Sequence, residues 1–325
     1  MQHYDAAAVA AALPPSRLIE ALRAAFARGV HAPARQQLSL DEAKSQTLLL
    51  MPAWDAGGIG VKLVTVFAGN PGRGLPAVNA CYLLFDADTG AIRASLDGNE
   101  LTLRRTAAAS ALASSCLSWP DSRRMLMVGT GALAPHLIRG HSSVRPIEAV
   151  RIWGRTAPHA EALAHSLRQE GLPAQATTDL AAAAGWADII SCATLATAPL
   201  IRGQWLRPGQ HVDLVGAFTA QMCEADDEAL RRSEVFVDTR EGALSGAGEV
   251  IQAIARGVIT PAQLRAGLHE LCSGQHPGRS DAASITLFKS VGHALEDLAA
   301  ARLVVDQSAA AATPGAGPSS SMRSR

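Results

Sequence analysis

Three basic side chains in the first third of the chain have the chemistry to hold a small organic anion. Lys62 lies in "GVKLVTVF", where a strand's period of two puts it on the side of Val64 and Val66. An ammonium among valines is costly unless it meets an anion or gives up its proton. Only three of the 29 basic residues are lysines (Lys44, Lys62 and Lys289). A lysine kept in so arginine-rich a chain marks a place where a compact, titratable amine is wanted. The plain alternative is an edge-strand lysine that blocks aggregation. Arg105, in "LTLRRTAAASALASSCL", is expected in or just before the first turn of an alanine-rich helix capped by Thr102 or Thr106. A cation there opposes the helix dipole, which makes sense if arginine and helix end together grip a carboxylate. Arg35, in "APARQQLSL", is the third candidate, although an exposed arginine is the usual case. Asp213, in the apolar strand "HVDLVGAF", adds an acid. Unpaired burial would be expensive, and parallel sheets bind ligands at their C-terminal edge. Local backbone N–H groups could equally satisfy it.

The run "MLMVGTGALA" supplies a second kind of site. Gly129, Thr130, Gly131, Ala132 and Ala134 form a GxGxxA turn after an apolar strand and before a helix, the context a dinucleotide fingerprint requires. The first glycine makes the turn, the second admits the pyrophosphate, and Ala134 keeps helix and strand close. Phosphates rest on the helix N-terminus. The next strand, "VRIWGRT", is followed by no Asp or Glu up to Ala160, so nothing there binds a ribose 2′-hydroxyl as NAD sites do. Arg155 and Thr156 stand instead where a 2′-phosphate would lie, which points to NADPH, with NADH weaker.

These residues need elements to position them. Residues 5–28 read as two helical pieces broken at Pro14 and Pro15. The runs "QTLLLMPAW", "GGIGVKLVTVF", "AVNACYLLFD" and "GAIRASLDG" follow, separated by turn residues, as antiparallel neighbours do. From Met125 the rhythm changes to short apolar strands alternating with helices, the βαβ pattern of a parallel sheet. The reading is α/β: residues 1–118 as an N-terminal α/β domain, 119–288 as a Rossmann doubly wound parallel sheet, and 289–306 as a closing helix. Residues 307–325, "QSAAAATPGAGPSSSMRSR", read as a disordered tail.

Composition removes several classes of function. Formal net charge is zero, so the broad attraction that nucleic-acid binders use is absent. No apolar run approaches the roughly 20 residues needed to cross a bilayer, and "MQHYDAAAVAAALPPSR" lacks the basic start of a secretory signal. Five cysteines without a CxxC pair argue against a disulfide framework and fit a cytoplasmic protein. The histidines show no ligand spacing, so no metal is expected.

Taken together, "LLMPAW", "GVKLVTVFAGNPGRGLPAV", "LTLRRTAAASALA", "VGTGALA", "VRIWGRT" and "SVGHALEDLAA" resemble the ornithine cyclodeaminase/μ-crystallin family over nearly the whole chain. The resemblance implies a homodimer whose N-terminal domain serves substrate binding and dimerisation, with the last helix returning to it. It implies that Lys62, Arg105 and Arg35 hold a substrate carboxylate, and that Asp213 is the acid/base facing the reacting nitrogen. Ornithine-cyclising members carry a glutamate two residues before "MP" to hold the distal amine; here that residue is Leu49. "WGRT" is similar to the NADPH-using ketimine reductases. The implied reaction is reduction of small cyclic 2-imino acids, Δ1-pyrroline-2-carboxylate to L-proline and Δ1-piperideine-2-carboxylate to L-pipecolate. Ornithine cyclodeaminase or alanine dehydrogenase activity, and a μ-crystallin-like ligand binder without rapid turnover, are the alternatives.

Overall fold

The computed structural model describes residues 1–312. Its first half builds a six-stranded sheet from β1 (Gln2–Tyr4), β2 (Gln36–Asp41), β3 (Gln46–Asp55), β4 (Gly58–Phe67), β5 (Val78–Phe85) and β6 (Ile92–Asp97). The strand order is β1-β6-β5-β4-β3-β2. β2 to β6 run antiparallel to their neighbours, as the turn residues between them predict, and β1 joins β6 in parallel. Helices α1 (Ala6–Ala12) and α2 (Pro15–Arg28), broken at the two prolines, cover one face together with the 20-residue α3 (Gly98–Leu117). Their apolar sides bury Leu18, Leu22, Phe26, Leu101 and Leu112 against Tyr82, Leu84 and Leu96 of the sheet.

The cap of α3 differs from expectation. Asp97, not a threonine, starts the helix, its carboxylate accepting from the Glu100 N–H at 2.8 Å. Thr102 instead donates back to the Gly98 carbonyl at 2.7 Å. Arg105 therefore sits in the helix's third turn, away from the N-terminal N–H groups, and the helix dipole plays no part in its chemistry.

The second sheet has eight parallel strands: β7 (Arg124–Val128), β8 (Ala149–Trp153), β9 (Ala174–Ala176), β10 (Ile189–Cys192), β11 (His211–Leu214), β12 (Ser233–Val237), β13 (Leu264–Gly267) and β14 (Ile285–Lys289). Their order is β13-β12-β14-β11-β10-β7-β8-β9. The order reverses between β7 and β10, which marks the crevice where doubly wound sheets bind ligands. Helices α4 (Leu133–Val144), α5 (Ala157–Gln169), α6 (Leu180–Trp186), α7 (Asp227–Arg232), α8 (Arg240–Gly246), α9 (Gly248–Ala255) and α10 (Leu268–Cys272) connect the strands, and two apolar cores fill the sheet's two faces.

The chain's close also departs from the expected helix over 289–306. Lys289 ends β14, a turn follows, and α11 (Ala294–Ala312) begins five residues later. Gly292 in that turn has φ +84°, a left-handed conformation that stops a helix from starting earlier. α11 continues through residues 307–312, where a tail was expected; residues 313–325 lie outside the described residues. The helix packs against α2, α3, β3 and β4, so the chain's last described element belongs to the first domain.

Candidate active site

Lys62 and Arg105 meet where α11 crosses the first sheet. Lys62 points to the helix-covered face of β4, as its position beside Val64 predicts, and is 2% exposed. Its Nζ lies 2.8 and 3.0 Å from the two carboxylate oxygens of Asp297, and 3.5 Å from Thr102 Oγ1. Burial, reinforced by the neighbouring Arg105 charge and only partly offset by Asp297, pulls the ammonium down to about 8. Arg105 donates from Nε to Asp297 Oδ1 at 3.2 Å and from Nη1 to Glu296 Oε2 at 2.6 Å. Burial works against its charge, but Asp297 and Glu296 hold it above the ordinary arginine range. Its Nη2 has no hydrogen-bond partner among the described residues. Burial lifts the Glu296 carboxyl to about 7, with Arg105 opposing and Asp238 adding to the rise.

The second sheet closes this cluster from the other side. Asp238, just after β12, accepts from the N–H groups of Val291 and Gly292, both at 2.8 Å, and so folds the turn after β14. That turn presses on Arg105: a Cβ on Gly292 would lie 2.7 Å from Nη1. Two cations and two carboxylates thus sit buried at the C-terminal edge of the parallel sheet, with one guanidinium nitrogen left for a ligand. Leu49, which pairs with Val64, lies on the same sheet face as Lys62 and puts an apolar side chain near the cluster.

Arg35 and Asp213 are placed elsewhere. Arg35 is exposed and reaches from the first domain to the second, its Nη2 donating to the Phe218 carbonyl in the loop after β11 at 3.2 Å. Asp213 is completely buried under α3 and α4. One oxygen accepts from Ser110 at 2.9 Å; the other accepts from Ser191 at 2.7 Å and lies 3.2 Å from His141 Nε2. Burial pushes its carboxyl up, but His141 and Ser191 outweigh burial and hold it below the usual range. Side-chain donors, rather than backbone N–H groups, occupy Asp213, and among the described residues it shares no hydrogen-bond partner with Lys62 or Arg105.

Asp297, Glu296, Asp238 and Gly292 were not singled out from the sequence. The signal was present in "HALEDLAAARL", where two adjacent acids open an otherwise apolar, alanine-rich helix. A buried lysine and arginine must find carboxylates, and those two were available.

The glycine turn fits a dinucleotide. Gly129 follows β7 with φ +117°, and a Cβ there would lie 2.5 Å from the Ala193 carbonyl, so only glycine fits. A Cβ on Gly131 would meet nothing within 4 Å, which leaves room over the backbone for a pyrophosphate. Ala134 is buried against β7 and β8 residues in the core. Thr130 packs on Gly154, where a Cβ would approach its methyl to 2.7 Å, and ties this turn to the end of β8. Beyond β8, Arg155 and Thr156 are exposed; Arg155 has no ion-pair or hydrogen-bond partner among the described residues, and Thr156 makes no side-chain cap bond. An open groove lined by Ala157, Pro158, Glu161, Ala176, Thr177 and Thr178 adjoins them. Among the described residues no group of three metal-ligating side chains occurs.

Residues 5–312 match the model of the ornithine cyclodeaminase/mu-crystallin family. The chain is 44% identical over 256 residues to a Delta(1)-pyrroline-2-carboxylate reductase of Paracoccus denitrificans, covering 78% of this chain and 80% of that protein. Among solved structures it is similar to the Delta(1)-pyrroline-2-carboxylate reductase of Thermococcus litoralis in complex with NADH and L-proline, with TM-score 0.91, 30% identity and coverage of 96% and 98%. It is also similar to an archaeal alanine dehydrogenase dimer with bound NAD, with TM-score 0.90, 26% identity and coverage of 97% and 98%. A matched family model over almost every described residue, and these relatives, lead to one conclusion: the chain belongs to the ornithine cyclodeaminase/mu-crystallin family.

Proposed function

We propose that the protein is an NADPH-dependent reductase of cyclic 2-imino acids, taking Δ1-pyrroline-2-carboxylate to L-proline and Δ1-piperideine-2-carboxylate to L-pipecolate. The buried Lys62–Asp297–Arg105–Glu296 cluster at the sheet's C-terminal edge carries this reading. Its two cations suit one carboxylate, and Leu49 offers nothing to a distal ammonium, which disfavours an ornithine substrate. Reductases of the same C=N bond among its relatives support it.

Arg105 Nη2 takes the substrate carboxylate, with Lys62 beside it, while Arg35 at the domain boundary holds the loop after β11. Asp297 fixes both cations, so the substrate meets preoriented donors and loses less on binding. Lys62 is largely protonated at neutral pH and is the group able to keep a proton at the substrate nitrogen, which makes the imine the better hydride acceptor. Gly129, Thr130, Gly131, Ala132 and Ala134 hold the pyrophosphate, and Arg155 with Thr156 takes the 2′-phosphate. When bound, the nicotinamide supplies the hydride that C2 receives.

Mixing the protein with NADPH and each imine, and following the absorbance of the reduced nucleotide, tests the reading. Turnover of either ring supports it; none with either ring rejects it. Replacement Arg155→Ala is expected to weaken NADPH at least tenfold, consistent with loss of a charge-assisted contact, and NADH hardly at all. Equal losses count against the 2′-phosphate assignment.

A further inference from the structure

The dinucleotide crevice is floored by two loops that a single side chain joins. Glu224 is completely buried. Its Oε1 accepts from the Thr194 N–H at 2.7 Å and from Thr194 Oγ1 at 2.8 Å; its Oε2 accepts from the Gly216 N–H at 2.7 Å. Thr194 lies in the loop after β10 and Gly216 in the loop after β11. These flank the side of the crevice opposite the glycine turn. The two loops are in close contact, since a Cβ on Gly216 would sit 2.0 Å from the Thr194 carbonyl. The loop after β10 in turn presses its Ala193 carbonyl against Gly129. A continuous row of backbone therefore runs from the glycine turn through Ala193 and Thr194 to Gly216.

Glu224 itself cannot drift. Its carbonyl accepts from the N–H groups of both Leu200 and Ile201, at 2.9 Å each, and Ala225 bridges to Ile201. Three donors converge on this one buried carboxylate, and Gly216, whose N–H it accepts, is itself buried, so Glu224 rather than solvent holds that loop.

We propose that Glu224 is a positioning residue for the nicotinamide half of the dinucleotide: it locks the loops after β10 and β11 into one edge against which the ring is held. The proposal rests on the reading that this crevice takes a nicotinamide dinucleotide. It does not depend on which imine is reduced.

The test uses the full chain as Glu224→Gln and Glu224→Ala. Amide hydrogen exchange is measured first, without nucleotide. Loss of a hydrogen bond to a buried charge is expected to speed exchange at Thr194 and Gly216 roughly ten- to hundredfold, with the amides of β7 and β10 unchanged. NADPH affinity, read by quenching of protein fluorescence, is expected to fall roughly tenfold in Glu224→Gln and further in Glu224→Ala. With NADPH deuterated at the transferred position, the isotope effect on kcat is expected to rise, because a loosely held ring makes hydride transfer slower than the other steps. Faster exchange throughout the second sheet, with affinity per folded molecule and isotope effect unaltered, would show a merely structural residue and overturn the proposal. If Glu224→Ala does not fold, the Glu224→Gln exchange pattern and nucleotide titration decide alone. Absence of imine turnover in the unmodified protein would reject the substrate reading while leaving both of those measurements valid.

Discussion

Lys62 and Arg105 share Asp297, and Arg105 also pairs with Glu296, so on the proposed reading substrate capture depends on pH. Burial pushes the Glu296 carboxyl up to about 7 and the Lys62 ammonium down to about 8. Below pH 7 Glu296 is neutral and grips Arg105 less, so the guanidinium charge is available to a carboxylate. Above pH 8 Lys62 loses its charge. Both changes act in one direction: affinity for L-proline, whose own charge does not change near neutral pH, is expected to fall as pH rises from about 6 to about 9. Calorimetric titration of L-proline across this range checks it, and Glu296→Gln should remove the part of the fall near pH 7 while leaving the part near pH 8. Lys62→Met is expected to lower turnover by roughly 10²–10⁴-fold, the usual worth of a positioned proton donor, with NADPH affinity kept within about twofold because Lys62 is remote from the glycine turn. Asp213→Ala behaves differently. It strands Ser110, Ser191 and His141 in the core and should cost about 3–5 kcal/mol of stability, at about 1–3 kcal/mol for each buried polar group left unpaired, measured by urea unfolding.

At the scale of elements, what was legible in the sequence depended on length and periodicity. The four long antiparallel strands, the two proline-divided helices and the glycine turn all announced themselves by alternation or by turn residues. β1, β9 and β13 are three or four residues long and carry too little pattern to stand out. β2, "QQLSLD", is mostly polar because it is an edge, and β14 was absorbed into the helix that follows it. The site was legible in half: the cations were visible as charges in apolar surroundings, but their carboxylates lie 235 and 191 residues away along the chain. No local pattern joins positions so distant. The partners of Asp213 were hidden for a related reason: Ser110, His141 and Ser191 lie 103, 72 and 22 residues away along the chain. The turn between β14 and α11 gives a test at this scale. Gly292→Ala adds a methyl against Arg105 at a backbone angle that favours glycine. It is expected to raise KM for the imine at least tenfold, a shift equal to about 1.4 kcal/mol, with nucleotide affinity unchanged, as steady-state kinetics and fluorescence titration would show.

For the whole molecule, the first sheet poses a question of coverage. One face is buried under helices. The other shows Trp54, Ile59 and Ile92, each 38–45% exposed, with Val61, Leu63 and Leu83 partly exposed between them. Contiguous apolar surface of this kind marks an interface, and a second copy of the chain is the expected occupant. If a second copy docks there, Leu63→Glu on that face should lower the mass read by light scattering from two chains to one; an unchanged mass would assign the face to something else. α11 carries a different consequence. Because Glu296 and Asp297 reach Lys62 and Arg105 only when α11 docks, the buried ion cluster is assembled only after α11 has been made. A nascent chain that still lacks α11 holds two cations, Lys62 on β4 and Arg105 on α3, without these carboxylates. Premature termination just after β14 should therefore leave a protein unable to bury those charges, prone to capture by chaperones rather than to slow, partial catalysis.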